Sequence, residues 1–198
     1  SIPGGNKNAC YSDLGNTFRH ASFQVITASS TTGHASVDFD LWPESCRFLL
    51  VLLMFIGACA GSTGGAIKCV RIVVLLKSIM RELTRIVMPR MVKHVKINGE
   101  SVSEEIIADS SVFFTVYLGI FAVCSLALMA LNTDIVTAFS AVATCLANCG
   151  PGLAKVGPMA NFSEISYAGK WILSFCMLLG RLEIYSLVLL FLTIMWKR

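Results

Sequence analysis

Charge is what this sequence has least of. Of 198 residues only 14% are Asp, Glu, Lys or Arg, against 55% hydrophobic; that balance belongs to a lipid-embedded chain and excludes an ordinary water-soluble core. Histidine is scarce, and His20, His34 and His94 read as polar surface or packing residues. No Ser-His-Asp or Cys-His nucleophile, paired carboxylates or phosphate-cradling loop can be assembled, so the reading is not an enzyme. Eight cysteines are present, but none has the paired spacing of a zinc site. Cys145 and Cys149 stand four apart with no His or carboxylate beside them, and free Cys in apolar surroundings behaves as a small hydrophobe. Disulfides are unsupported, although Cys10 and Cys46 fall on the outer side. No ring of acidic residues is available to attract cations either.

Long apolar stretches are what the chain has instead. Residues 112–131 carry no formal charge and match the roughly 20 residues, at 1.5 Å each, that cross a hydrocarbon core. Two other stretches are interrupted. Residues 49–56 are apolar but too short to span; Gly57-Ala58-Cys59-Ala60-Gly61-Ser62-Thr63-Gly64-Gly65-Ala66 breaks the pattern before 67–76 resumes it. Residues 171–196 are long enough yet hold Arg181 and Glu183 near their middle.

One device is written twice. Ser29-Ser30-Thr31-Thr32-Gly33-His34 and Leu146-Ala147-Asn148-Cys149-Gly150-Pro151 each follow a short apolar helix. A shift of 117 positions lays Gly33 on Gly150, Thr27 on Thr144, Val25 on Val142, Ala21 on Ala138 and Thr17 on Asp134. Thr17 and Asp134 are both N-cap types, so half-length helices are expected over about 17–27 and 134–144. A Gly-bearing polar segment after a half-length helix is the layout of an ion-conducting pore loop. An ion leaving water needs oxygen ligands of comparable strength, and carbonyls turned toward a common axis supply them without charge. Such backbone survives in a membrane only where it lines water or is buried in protein. Gly33 and Gly150 permit unusual dihedrals and close approach, and the half-helices point their C-terminal, partly negative ends at a cation. The competing reading is that Ser, Thr and Gly merely make close helix contacts; two loops in register weigh against it.

Eight of the sixteen basic residues lie between Lys68 and Lys96, with Glu82 the one acidic residue among them. The positive-inside tendency puts this connection, residues 77–104, in the cytoplasm with the C-terminus, and both Gly-bearing loops facing outside. Met88-Pro89 should end or kink the helix beginning near Lys68. The alternation in 95–102 around Asn98-Gly99 predicts a hairpin.

Ser30-Thr31-Thr32-Gly33-His34, Ala147-Asn148-Cys149-Gly150-Pro151-Gly152-Leu153, the 57–65 run and Gly180-Arg181-Leu182-Glu183-Ile184 together resemble the Trk/Ktr/HKT superfamily of potassium transporters. The resemblance implies an all-α membrane protein with helix–pore loop–helix repeats around a potassium-channel-like pore, with a broken helix and an intramembrane loop. It resembles the last two of four such repeats: residues 1–90 a third-type repeat, 91–104 a cytoplasmic hairpin linker and 105–198 a fourth-type repeat. The chain is then expected to be the C-terminal part of a longer protein; self-assembly of copies is the alternative. The implied function is potassium uptake, with K+ (or Rb+) at filter residues Ser30, Thr31, Thr32, Gly33, Ala147, Asn148, Cys149 and Gly150. The implied gate is Gly61, Ser62, Thr63, Gly64 and Gly65 with Arg181. A homodimer, the missing N-terminal repeats and a TrkA-like cytoplasmic nucleotide-binding subunit are the implied partners, in a bacterial inner membrane and without nucleic acid. His34 departs from the Phe common after this filter glycine.

Spacing adds its own expectation. Gly64 follows Gly33 by 31 residues and Arg181 follows Gly150 by 31, placing the broken helix and a buried arginine at similar depth beneath the filters. A cation there costs about 2.5–3.5 kcal/mol on insertion scales unless paired or facing water. Arg181 either pairs with Glu183 or faces the pore, raising the barrier to cations and holding loop carbonyls. Lys68 and Arg71 anchor a helix end or meet the regulatory subunit. An ion-coupled symporter, with Glu183 as its one intramembrane acid, and a non-conducting membrane subunit are the functional alternatives.

Overall fold

In the computed structural model, which describes residues 14–57, 65–88, 95–97 and 100–182, six helices carry most of the regular structure. Helix α1 is Leu14–Ser29, α2 Glu44–Phe55, α3 Cys69–Val87, α4 Glu104–Ala130, α5 Ile135–Ala147 and α6 Tyr167–Arg181.

Helix α4 absorbs the charge-free run and starts earlier than that run, at Glu104. Its 27 residues reach about 40 Å at 1.5 Å each, and it is long and apolar enough to cross a membrane. Glu104 and Glu105 occupy its first turn, where carboxylates complement the partly positive helix end. Ile107, Ser110, Phe113, Tyr117, Phe121, Ser125 and Leu128 are its buried residues, a three- and four-residue spacing that forms one inward stripe. Phe55 meets Tyr117 and Phe121 edge-on at 6.2 and 5.2 Å, and Phe139 meets Phe121 at 4.7 Å. Those T-shaped contacts tie α2 and α5 to α4.

Helix α5 is the centre of the molecule. Ten of its thirteen residues are buried between α4, α6 and α2, and its small side chains Ala138, Ser140, Ala141, Ala143 and Ala147 let those helices approach closely. Helix α1 packs mainly on α2 and buries only Gln24, Thr27 and Ala28. Both half-length helices run longer than expected. Thr17 lies inside α1 and is not its N-cap, while Asp134 stands at the N-cap of α5 with no side-chain cap bond. The residue types were right for capping, but the helix begins earlier in one case and the carboxylate is turned away in the other.

Between α2 and α3 the chain forms strands β1 (Ile56–Gly57) and β2 (Ile67–Lys68), paired in parallel with Ile56 opposite Ile67 and Gly57 opposite Lys68. The Cys69 thiol donates to the Gly57 carbonyl at 3.0 Å. Gly61, Ser62, Thr63 and Gly64 lie outside the described residues; Gly65 is buried. Helix α3 stops at Met88, one residue before Pro89. Strands β3 (Lys96–Ile97) and β4 (Glu100–Ser101) pair antiparallel around the Asn98-Gly99 signal. Lys77 donates to the Lys96 carbonyl at 2.7 Å, and Arg81 bonds Glu104 at 2.5 and 3.2 Å. The Glu104 bond raises the Arg81 pKa above the ordinary arginine value.

Candidate functional site

The ends of α1 and α5 have one backbone conformation, 117 residues apart. Thr31 and Asn148 both sit at φ +55°, and Gly33 and Gly150 at +77° and +107°. The Thr31 N–H donates to the Ala28 carbonyl at 3.3 Å and the Asn148 N–H to Cys145 at 3.2 Å. The Thr32 N–H donates to Thr27 and the Cys149 N–H to Thr144, both at 3.0 Å. This crossed pair is the Schellman ending of a helix, which needs one left-handed residue and is usually built on glycine. Here Thr and Asn take the left-handed position and glycine is kept two residues later. The chain thereby turns at each helix end and leaves as irregular backbone.

The surrounding side chains differ between the two turns. In the first, the Ser30 hydroxyl reaches the Ile26 carbonyl at 2.7 Å and Thr32 Oγ1 at 2.8 Å, and the buried Thr27 hydroxyl accepts the His34 N–H at 3.0 Å. At the matching place in the second turn stands Pro151, which has no N–H to give, and the Thr144 hydroxyl instead donates to Ala141 at 3.1 Å. The second turn is also braced from its own helix. Ser140 Oγ accepts the Leu153 N–H at 3.1 Å and lies 3.3 Å from the Leu153 carbonyl as donor, while the Gly152 N–H bonds the Val156 carbonyl at 2.7 Å. Ala147 and Cys149 are buried; Ser30, Thr32 and Gly150 are exposed.

The two turns touch. A Cβ built on Gly33 would overlap the Cys149 carbonyl oxygen and lie 3.4 Å from Pro151 Cδ. Beneath the second turn, Gly65 and Gly180 meet around the Asn148 side chain: a Cβ on Gly65 would be 2.5 Å from Asn148 Nδ2 and 3.1 Å from the Gly180 carbonyl. Asn148 Nδ2 donates to the Met177 carbonyl at 3.2 Å. A Cβ on Gly180 would overlap the Leu146 carbonyl, so this glycine sets how closely α6 lies against α5.

Arg181 ends α6 and its side chain is exposed, which corrects the expectation of a buried arginine. Successive helical residues turn by about 100°; with Gly180 on the α5 contact, Arg181 is carried off it. Glu183, the pairing candidate for Arg181, lies outside the described residues. Sequence reasoning singled out Gly33, Asn148 and Gly150 but missed Ser140, a buried polar residue of α5 like Thr137 and Thr144, and used Gly180 only as the neighbour of Arg181. Asp40, which reaches the segment after the second turn, belonged to no motif.

Two half-length helices that end in the same backbone conformation, together with one long apolar helix, make up a mostly helical architecture, and its likeness to known proteins identifies it as a membrane transporter fold. The TrkH family model, described as a cation transport protein, matches residues 5–197, and the chain belongs to that family of transporters. It is 41% identical over 91% of its length to the Trk system potassium uptake protein TrkH of Halomonas elongata. It is 39% identical over 94% of its length to the protein of that name from Escherichia coli K12. The crystal structure of the potassium transporter TrkH from Vibrio parahaemolyticus superposes with a TM-score of 0.86 at 40% identity, covering 95% of this chain and 40% of that one. The chain spans 37% and 38% of the two curated relatives, a little over a third of each.

Proposed function

We propose that this chain supplies two of the loops of a potassium-permeable pore, with K+ held by backbone carbonyls of Ser30, Thr31, Thr32, Gly33, Ala147, Asn148, Cys149 and Gly150. The repeated turn carries the reading. Two helices end in the same reversed backbone, pressed together at Gly33 and Cys149, and each adds a positive-φ glycine two residues beyond the left-handed residue, which the helix ending itself does not require. Carbonyls freed by the reversal replace water around a cation, and both helix C-termini add partial negative charge.

Further repeats are needed to close the ring, because two loops cannot surround an ion. Below the filter, the Gly61, Ser62, Thr63, Gly64 and Gly65 segment acts as a gate together with Arg181, whose exposed guanidinium would repel a cation in the lower pore. The protein works as a homodimer in a bacterial inner membrane, filters outward, with a TrkA-like nucleotide-binding subunit on its cytoplasmic face. The names of the relatives, which are potassium uptake proteins, support the ion.

The test is radioactive rubidium uptake into liposomes holding the complete protein, with and without imposed proton and sodium gradients. Uptake that follows the rubidium gradient alone is expected. Uptake that requires a proton or sodium gradient would replace the pore by a coupled transporter, and none at all would make the turns structural.

A further inference from the structure

The segment after the second turn contains a strained residue held from the other repeat. Ala154 sits at φ +56°, left-handed backbone that an L residue with a Cβ disfavours and that persists where its surroundings enforce it. Its N–H donates at 3.1 Å to Asp40 Oδ2, a residue 114 positions earlier. Asp40 is itself tied down on every side. Its own N–H bonds Asp38 Oδ1 at 3.1 Å, within a 3-10 turn over Phe39–Leu41 whose Phe39 is only 2% exposed. Arg47 Nη2 of α2 lies 3.0 Å from Asp40 Oδ1. A Cβ on Gly157 would be 3.4 Å from Asp40 Oδ2, and the Gly157 N–H closes the turn onto the Ala154 carbonyl at 3.0 Å.

We propose that Asp40 is a positioning residue for the second filter: from the first repeat, oriented by Arg47, it holds Ala154 left-handed and so fixes where Gly150, four residues earlier, presents its carbonyls. This rests on the filter reading above. The chemistry divides the carboxylate's labour. One oxygen meets a guanidinium on the helix leading into the broken segment, and the other meets a backbone amide of the opposite repeat, so α2 and the second filter share one brace. A carboxylate placed only to concentrate cations at the mouth would have no need of a part-buried amide partner.

The complete protein, wild type and with Asp40→Ala, Asp40→Asn and Asp40→Ala/Ala154→Gly, is compared by two measurements. The first is the ratio of rubidium to sodium uptake in liposomes. Asp40→Ala is expected to lower it about tenfold, the loss of a charge-assisted hydrogen bond. Asn keeps an oxygen for the Ala154 N–H and is expected to fall only about twofold to threefold on the same scale. Glycine at 154 adopts positive φ unaided and should restore the ratio in the double variant. Equal loss of total uptake in the Ala and Asn variants, with the ratio unchanged, would overturn the brace in favour of a surface charge. The second measurement is amide hydrogen exchange over residues 152–156, which does not depend on transport. It should quicken in Asp40→Ala and return toward wild type in the double variant; unchanged exchange overturns the brace. A wild type that passes no rubidium would overturn the filter reading, and the exchange result would still decide the brace.

Discussion

Gly33 is pressed against the carbonyl of Cys149, with no room for a Cβ between them, whereas the corresponding position at Gly150 has nothing within 4 Å. The glycines of the two turns are therefore unequal. Both have positive φ, so alanine at either meets a backbone penalty of about 1–2 kcal/mol. At Gly33 the overlap adds to it. Gly33→Ala should abolish rubidium uptake and lower the melting temperature, while Gly150→Ala should fold and retain reduced, less selective uptake. Equal thermal shifts in the two variants would contradict the contact.

Asn148 combines a left-handed backbone with a donor aimed at the Met177 carbonyl. Asn148→Gly keeps the backbone and loses the donor. Asn148→Asp puts negative charge among carbonyls of Ala147, Met177 and Gly180. The lost bond is exposed and contributes about 0.5–1.5 kcal/mol, while a carboxylate among carbonyls adds repulsion, so the Asp variant should be the less stable, measured by thermal unfolding in detergent.

Ser140→Ala removes both links to Leu153. The expected destabilisation is about 1–3 kcal/mol, accompanied by a lower rubidium-to-sodium ratio, because the freed segment leads directly from Gly150. A stable variant with unaltered selectivity would confine Ser140 to packing.

If Arg181 belongs to the gate as proposed, Arg181→Ala should raise rubidium flux or leak several-fold by removing a positive charge; a folded variant with unchanged flux and gating would take Arg181 out of the gate. Glu104→Gln is the contrasting case. Its pairing with Arg81 is exposed on the Glu side, and surface ion pairs contribute about 0–1 kcal/mol, so stability should move little and uptake not at all.

Much of this architecture was legible in the residues. A charge-free run can satisfy its backbone in lipid only as a helix, and α4 follows; Pro89 and Asn98-Gly99 act through local backbone preferences and mark α3 and the hairpin for that reason. The sliding match found Gly33 and Gly150 because glycine is a distinctive letter. It gave no sign that Thr31 and Asn148, named only as members of their segments, are equivalent, because they share a conformation but no chemistry. Gly180 and Asp40 were invisible for another reason: their partners, Leu146 and Ala154, are fixed by helix packing and not by spacing along the chain. Spacing placed Arg181 only by depth along its helix, whereas exposure, which the side chain has here, depends also on rotation about the helix axis.

The parallel pairing of Ile56 with Ile67 works as a clasp. Parallel strands ordinarily need a long crossover; here the chain departs at Gly57 and is back beside its point of departure by Ala66. Helices α2 and α3 are joined across that short ladder and by the Cys69 to Gly57 bond, so the register between the two helices is kept by the clasp itself.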